Sequence, residues 1–125
     1  LPTRIARNGS LFTKNGRINI FNSKYKNFDK PIVSNCECYS CQNYSVAYIH
    51  HLFKAKELLG YRIASIHNLA FLHNLMHEIQ QHIKKSDFSA FVNEFLSKYK
   101  VPNQEVQQEQ KSKWIESKGR IKNNI

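Results

Sequence analysis

The stretch "NCECYSCQNYS", residues 35–45, decides the fold of this chain. It contains all three cysteines, Cys36, Cys38 and Cys41, and an odd number of thiols cannot all pair as disulfides. Cys-x-Cys-x-x-Cys can supply three of the four ligands of a tetrahedral zinc ion. The alternatives are three packed thiols, or a redox pair of Cys38 with Cys41, although no βαβ pattern follows as in thioredoxin. The pattern favours zinc, with a fourth ligand elsewhere.

Neutral imidazole is the best candidate for that fourth ligand. His67 lies in the first predicted turn of a long helix, where a chain folding back would meet the cysteine loop. The mid-helix His50 and His51 have a harder path back to the loop. His73 and His77 form an i, i+4 pair without a third ligand, which favours solvated or packing roles. A Cys3His set fills all four coordination positions of zinc and leaves none for water, so the site would be structural. The bound ion would hold the strands and helices of a small domain together.

Length and charge narrow the class of protein. The chain has 125 residues, enough for one compact domain. Its net charge is +10, and residues 1–30 hold seven basic residues against one acidic residue. This asymmetry favours a polyanionic partner, most simply nucleic acid, over a merely solvated surface. No apolar run is long enough for a membrane span, and no signal peptide is recognisable, so we expect a soluble intracellular protein.

The organisation along the chain predicts an α+β fold in three parts. Residues 1–34 are expected to form a basic loop and a β-hairpin, with Asn15-Gly16 at the centre of a type I′ turn. Ile18 and Ile20 would share one face of it. Residues 35–100 are expected to hold the zinc knuckle and three helices. Residues 101–125 are a polar tail, for which we expect disorder.

Three helices are predicted from apolar periodicity and capping residues. The first spans 45–59, with Ser45 as its N-cap and Gly60 after its end. The second begins at an N-cap Ser65. The third begins at Asp87 or Ser86. The second helix has an apolar stripe at helical spacing, consisting of Ile66, Leu69, Leu72, Met76, Ile79 and Ile83.

With these motifs in view, the chain resembles the C-terminal part of bacterial tRNA-guanine transglycosylase, also called queuine tRNA-ribosyltransferase. The resemblance rests on "LPTRIARNGSLFT", "GRINIFNSKYKNFDKPI", "CECYSCQNYSVAYIHHL" and "IASIHNLAFLHNLM", and it runs to about Tyr99. It implies a C-terminal piece of an irregular (β/α)8 barrel enzyme that carries a zinc subdomain. Such enzymes exchange guanine at the tRNA wobble position for a queuosine precursor base, through a covalent intermediate on an aspartate.

The resemblance also implies site residues and partners. One structural zinc ion would be held by Cys36, Cys38, Cys41 and His67. The tRNA anticodon region would be contacted by Thr3, Arg4, Ile5, Ala6 and Arg7. An arginine offers a planar fork that suits base edges and phosphates. The resemblance further implies a cytoplasmic homodimer.

Two departures from the family pattern bear on activity. The nucleophilic aspartate would lie just before Leu1, and neither Asp29 nor Asp87 has its sequence context. The chain therefore contains no catalytic residue that we can assign, and we expect it to be inactive alone. Val46 stands where an arginine is common.

An alternative function is a free-standing, zinc-stabilised RNA-binding module without catalysis, and a third is a dimerisation subunit that pairs with a separate barrel subunit.

Overall fold

A computed structural model describes residues 1–101, 108–109 and 111–116 of the chain. The fold is α+β, with a two-stranded antiparallel sheet, a cysteine knuckle and three longer helices, as the sequence predicts. The elements in chain order are α1 (Pro2–Arg7), β1 (Ser10–Thr13), β2 (Gly16–Asn19), a 3-10 turn (Ser23–Tyr25), α2 (Tyr39–Asn43), α3 (Val46–Lys54), α4 (Leu58–Lys84) and α5 (Phe88–Lys98).

The predicted hairpin is present, but its turn is not the predicted one. Thr13 pairs with Gly16, so the two central turn residues are Lys14 and Asn15. The type I′ assignment was wrong, since Asn15 does not have a positive φ. The glycine instead begins β2 with φ +122°, where a Cβ atom would collide with the carbonyl oxygen of Lys100. The hairpin therefore forms without the predicted turn type, and Gly16 is required by its positive φ and by the close approach of Lys100.

The N-terminal segment forms a short helix rather than the expected loop. Pro2 occupies the first turn of α1, where its fixed φ suits a helix and its missing N–H costs nothing. α1 packs against α4 and β1, and Ala6 is completely buried in that contact. The sequence-based prediction missed α1 because six residues carry too little periodicity to reveal a helix.

Helix α3 begins as predicted and ends earlier. The Ser45 side chain accepts a hydrogen bond from the Tyr48 N–H at 3.2 Å, which confirms the N-cap. The helix stops at Lys54, and Lys56 adopts φ +57° in the connection that follows. Gly60 is therefore not the residue that ends this helix.

Helix α4 begins at Leu58 and runs through both Gly60 and Ser65, so the predicted N-cap at Ser65 was wrong. Gly60 serves close packing of α4 on α3, because a Cβ there would lie 3.0 Å from Leu52 Cβ and 3.2 Å from the Phe53 ring. The glycine marks a helix crossing rather than a helix end. Asp87 stands at the predicted N-cap of α5, but its side chain makes no capping hydrogen bond.

The core lies where α1, the hairpin, α3 and the first part of α4 meet. Ile20 is fully buried and Ile18 packs against the core, which confirms their shared face. The predicted stripe of α4 is only partly buried, since Leu69, Met76 and Ile83 are at least half exposed. The buried apolar residues are Ala6, Leu11, Ile20, Val46, Ile49, Leu52, Phe53, Ile63 and Ala64.

Most of the predicted polar tail lies outside the described residues. Residues 108–109 and 111–116 are helical. The other tail residues after 101, for which we expect disorder, lie outside the described residues. Within the described part of the chain, no helix combines the length and apolar character that crossing a membrane requires.

Candidate metal centre

The three cysteines and His67 converge on one point, with their four ligand atoms all within 4.8 Å of one another. His67 Nδ1 lies 3.9 Å from Cys36 Sγ, 3.6 Å from Cys38 Sγ and 3.4 Å from Cys41 Sγ. Zn–S bonds of about 2.3 Å and Zn–N bonds of about 2.0–2.1 Å in a tetrahedron require S···N separations of roughly 3.6 Å. The donor set fits a tetrahedral zinc ion.

The knuckle is ordered by its own backbone. Cys38 is the N-cap residue of α2, and its sulfur accepts a hydrogen bond from the Cys41 N–H at 3.4 Å. The Cys36 N–H donates to the Val33 carbonyl at 3.1 Å. These bonds fold the loop so that three sulfurs face the same side. The buried Ser40 hydroxyl donates to the Ile63 carbonyl at 2.6 Å and ties the knuckle to α4.

His67 is fully buried in the third turn of α4, not in the first turn of the helix as the sequence suggested. Its Nε2 lies 2.8 Å from the Phe12 carbonyl oxygen, so Nε2–H donates to β1 and Nδ1 is left free as a ligand atom. Burial lowers the pKa of His67, which keeps the imidazole neutral as metal binding requires. The hairpin thus selects the tautomer that suits zinc.

The three thiols can ionise together only beside a cation. Burial is the main cause that raises the pKa of Cys36, and burial together with the neighbouring sulfurs raises the pKa of Cys41 to about 12. Three thiolates this close would repel one another, whereas Zn²⁺ stabilises coordinated thiolates. When bound, zinc would supply the charge that holds them ionised. Four protein ligands close the coordination shell, so the role of the ion is structural.

One residue beside the centre was missed by the sequence analysis. Asn68 is completely buried and makes three hydrogen bonds. Its side-chain amide donates to the carbonyls of Pro2 at 3.1 Å and Ser10 at 2.9 Å, and its oxygen accepts from the Phe12 N–H at 3.0 Å. It therefore fixes α1 and β1 on α4 next to His67. An asparagine directly after the ligand histidine in an otherwise apolar helix segment was the available signal.

The remaining histidines do not join the centre. His50 is buried with Nδ1 2.7 Å from the Ile20 carbonyl, which gives it a packing role. His73 and His77 are exposed. His82 bonds Asp87 at 2.8 Å. In the part of the chain that the structure describes, the Cys3His cluster is the only group of three or more potential metal ligands.

The residues predicted to contact RNA lie on α1, whose Pro2 carbonyl accepts a hydrogen bond from the Asn68 side chain. Thr3, Arg4 and Arg7 are exposed, and Ile5 is partly buried. The Ala6 side chain packs into the core. α1 therefore presents a polar, basic surface, and the hydrogen bond from Asn68 holds its first residue on α4. The contact of these residues with RNA stays a prediction.

The fold and the centre define a small α+β domain organised around a structural Cys3His zinc site. The sequence profile of queuine tRNA-ribosyltransferase matches residues 1–101. The chain is 51% identical to a queuine tRNA-ribosyltransferase of Dehalococcoides mccartyi over 92% of the chain and 29% of that relative. It is 54% identical to one of Staphylococcus haemolyticus, over 79% and 26%, and 50% identical to one of Francisella tularensis, over 80% and 27%.

The chain belongs to the queuine tRNA-ribosyltransferase family. It spans less than a third of the length of the curated relatives it matches. The Cys3His zinc site and the fold are therefore those of a zinc-binding part within this family. The resemblance based on the cysteine loop and the α1 segment is confirmed.

Proposed function

We propose that this chain is the zinc-binding part of an enzyme that exchanges guanine at the wobble position of tRNA for a queuosine precursor base. The family match over residues 1–101 is the observation that carries the proposal. The convergence of four ligand atoms within 4.8 Å supports it, because zinc binding would hold the domain in shape. Nucleophilic chemistry would come from the barrel, and the role of this chain is to shape and stabilise the tRNA-facing surface.

The surface proposed to meet the tRNA anticodon region is α1. Exposed Thr3, Arg4 and Arg7 provide hydroxyl and guanidinium groups for bases and phosphates, with Ile5 beside them. The buried Ala6 would act by seating the helix. Asn68 holds the start of α1 through the Pro2 carbonyl, so the arginines project from a fixed element.

The enzyme is further proposed to be a cytoplasmic homodimer, as the resemblance implies. Three tyrosines at the knuckle support a second copy as partner. The centroid of the Tyr44 ring lies 5.9 Å from that of Tyr39 and 5.6 Å from that of Tyr48. The side chains of Tyr39 and Tyr48 are both more than two-fifths exposed. Tyrosine is enriched in protein interfaces. A single dimeric mass for the full-length enzyme in solution is expected, and a Tyr48→Asp variant should shift it toward the monomer.

A chimaeric enzyme tests the function. The corresponding segment of the Dehalococcoides mccartyi relative is replaced by this chain, and incorporation of labelled guanine into tRNA is measured. We expect activity, and we expect its loss in the same chimaera with Cys38→Ser. A folded, zinc-loaded chimaera without activity would contradict the proposal. If the chain alone still bound tRNA under that outcome, the RNA-binding module would become the better account.

A further inference from the structure

A second basic surface lies next to α1, along the outer side of α3. Residues 21–30 run beside this helix, because the Phe28 carbonyl accepts the Ala47 N–H at 2.9 Å and the Lys30 carbonyl accepts the Val46 N–H at 2.8 Å. The Ile20 carbonyl meets His50 at 2.7 Å further along the helix. The segment and α3 thus form one continuous face.

Lysine side chains on this face are held over aromatic rings. Lys54 Nζ, at the end of α3, lies 5.7 Å from the centroid of the Phe21 ring. Lys24 Nζ lies 4.9 Å from the centroid of the Tyr25 ring. A cation over a ring face is attracted to it, which restricts the flexible lysine stem. The ammonium groups are therefore partly ordered before any partner binds.

The lysines of this face have no ion-pair partner among the residues that the structure describes. Neither Lys24 nor Lys54 forms an ion pair with any acidic residue that the structure describes. Exposed Lys26 and Lys30 add to the same segment, and Asp29 is its sole acidic residue. A surface of this kind attracts a polyanion.

The face is continuous with α1. Gly9 follows α1 by two residues, and a Cβ atom there would lie 2.8 Å from the Phe21 ring. The Gly9 carbonyl also accepts the Ile20 N–H at 2.8 Å. The ring that holds Lys54 therefore lies against the residue that follows α1 by two positions, close to the helix that carries Arg4 and Arg7.

From this continuity we propose that Lys24 and Lys54 bind the RNA sugar-phosphate backbone that flanks the nucleotides contacted by α1. The proposal rests on the proposed function, since it assigns the same tRNA a longer path over the chain. The two lysines contact phosphates without reading sequence. The face around Phe21 is then a phosphate-binding extension of the α1 surface.

The test measures binding of the zinc-loaded 125-residue chain to an RNA stem-loop with a tRNA anticodon sequence, over a series of salt concentrations. Lys54→Gln and Lys24→Gln should each weaken binding about three- to tenfold at low salt and reduce the slope of log K against log salt by about 0.7. Lys54→Arg should retain affinity, because it keeps the positive charge.

Lys84→Gln is the matched control. Lys84 is exposed and ends α4, and at about 1.5 Å per residue it lies roughly 36 Å along the helix from Gly60, which packs on Phe53. It should leave affinity and slope unchanged. All variants should keep zinc content and far-UV circular dichroism, since the substituted side chains are exposed.

Arg4→Ala separates the two proposals. If it weakens binding while both lysine variants behave like Lys84→Gln, the phosphate-binding extension is wrong and the role of α1 stands. If the lysine variants lose affinity and Arg4→Ala does not, the phosphate contacts of Lys24 and Lys54 stand, but the α1 contacts and the placement of the RNA backbone beside them are wrong. A wild-type chain that does not bind the stem-loop at low salt would overturn both.

Discussion

The two parts of α4 belong to one continuous helix but lie in opposite environments. Residues 58–68 contain every buried residue of the helix, including the ligand His67 and the hydrogen-bonding Asn68. Residues 69–84 contain none, and α5, which packs on them, contains no buried residue either. We call residues 1–68 the metal-centred region and residues 69–98 the distal arm.

Stability is concentrated in the metal-centred region. In the metal-centred region, α1, the hairpin, the knuckle and α3 all contact the first part of α4. The distal arm has α4 packed on α5 through half-buried rings, such as His82 stacked on Phe91 at 4.4 Å. Elements with few buried apolar contacts open locally at low free energy. We therefore expect substitutions in the two regions to differ strongly in effect.

The largest effect is expected from Cys38→Ser. Zinc binding to small structural sites is linked to about 10–16 kcal/mol of folding free energy, which is as large as the whole usual stability of a domain, about 5–15 kcal/mol. The variant should lose zinc and its cooperative melting transition. Elemental analysis and thermal denaturation followed by circular dichroism measure both. Unchanged zinc content together with an unchanged melting temperature would contradict the prediction.

Asn68→Ala comes next, with an expected destabilisation of about 2–4 kcal/mol. The substitution leaves the Phe12 N–H and the carbonyls of Pro2 and Ser10 without the partner that the buried Asn68 supplies, in a partly buried setting. Urea denaturation of the zinc-loaded chain measures it. The exposed Asn74 on the distal arm is the control, and Asn74→Ala should change stability by less than about 0.5 kcal/mol. Equal effects at both positions would remove the distinction between the regions.

Phe91→Ala probes the distal arm and should cost about 1–2 kcal/mol at most, because the ring is only partly buried. It loses its stacking on His82 and its contact with Phe95. Hydrogen exchange should rise in α5 while amides around the zinc site stay protected. Loss of protection at the knuckle in this variant would mean that the two regions unfold as one unit.

The smallest effect on stability is expected for Arg4→Ala and Arg7→Ala, at less than about 0.5 kcal/mol, because both side chains are exposed. Both should nevertheless weaken tRNA binding. Binding to tRNA at one stated low salt concentration, together with melting of each variant, checks this. Affinity equal to that of the wild type would refute the proposed role of α1.

Within the metal-centred region, the knuckle, the hairpin and the start of α3 were predictable from sequence because their determinants are local. The cysteine spacing and the capping Ser45 act over a few residues. His67 was chosen from its place in the long helix, where a chain folding back would meet the cysteine loop, and the resemblance implied the same residue. The predicted hairpin also holds, although Gly16 is required by the approach of Lys100 rather than by the turn.

The rest was not predictable because it depends on tertiary contacts. Gly60 resembles a helix end in the sequence, yet it is required by the packing of Leu52 and Phe53 from another helix. The role of Asn68 appears only once α1 and β1 lie across α4. In α4 the apolar stripe is longer than the region that buries it, so periodicity alone did not reveal that Leu69, Met76 and Ile83 are exposed.

Zinc stoichiometry of the purified chain, measured by elemental analysis beside a His67→Ala sample, decides whether the four ligand residues hold a metal ion. We expect one zinc ion per chain, with the metal lost or weakly held in the variant, because His67 Nδ1 is the fourth ligand atom of the cluster. A well-folded wild-type chain without zinc would contradict this expectation, and the cysteines would then be packing or redox residues.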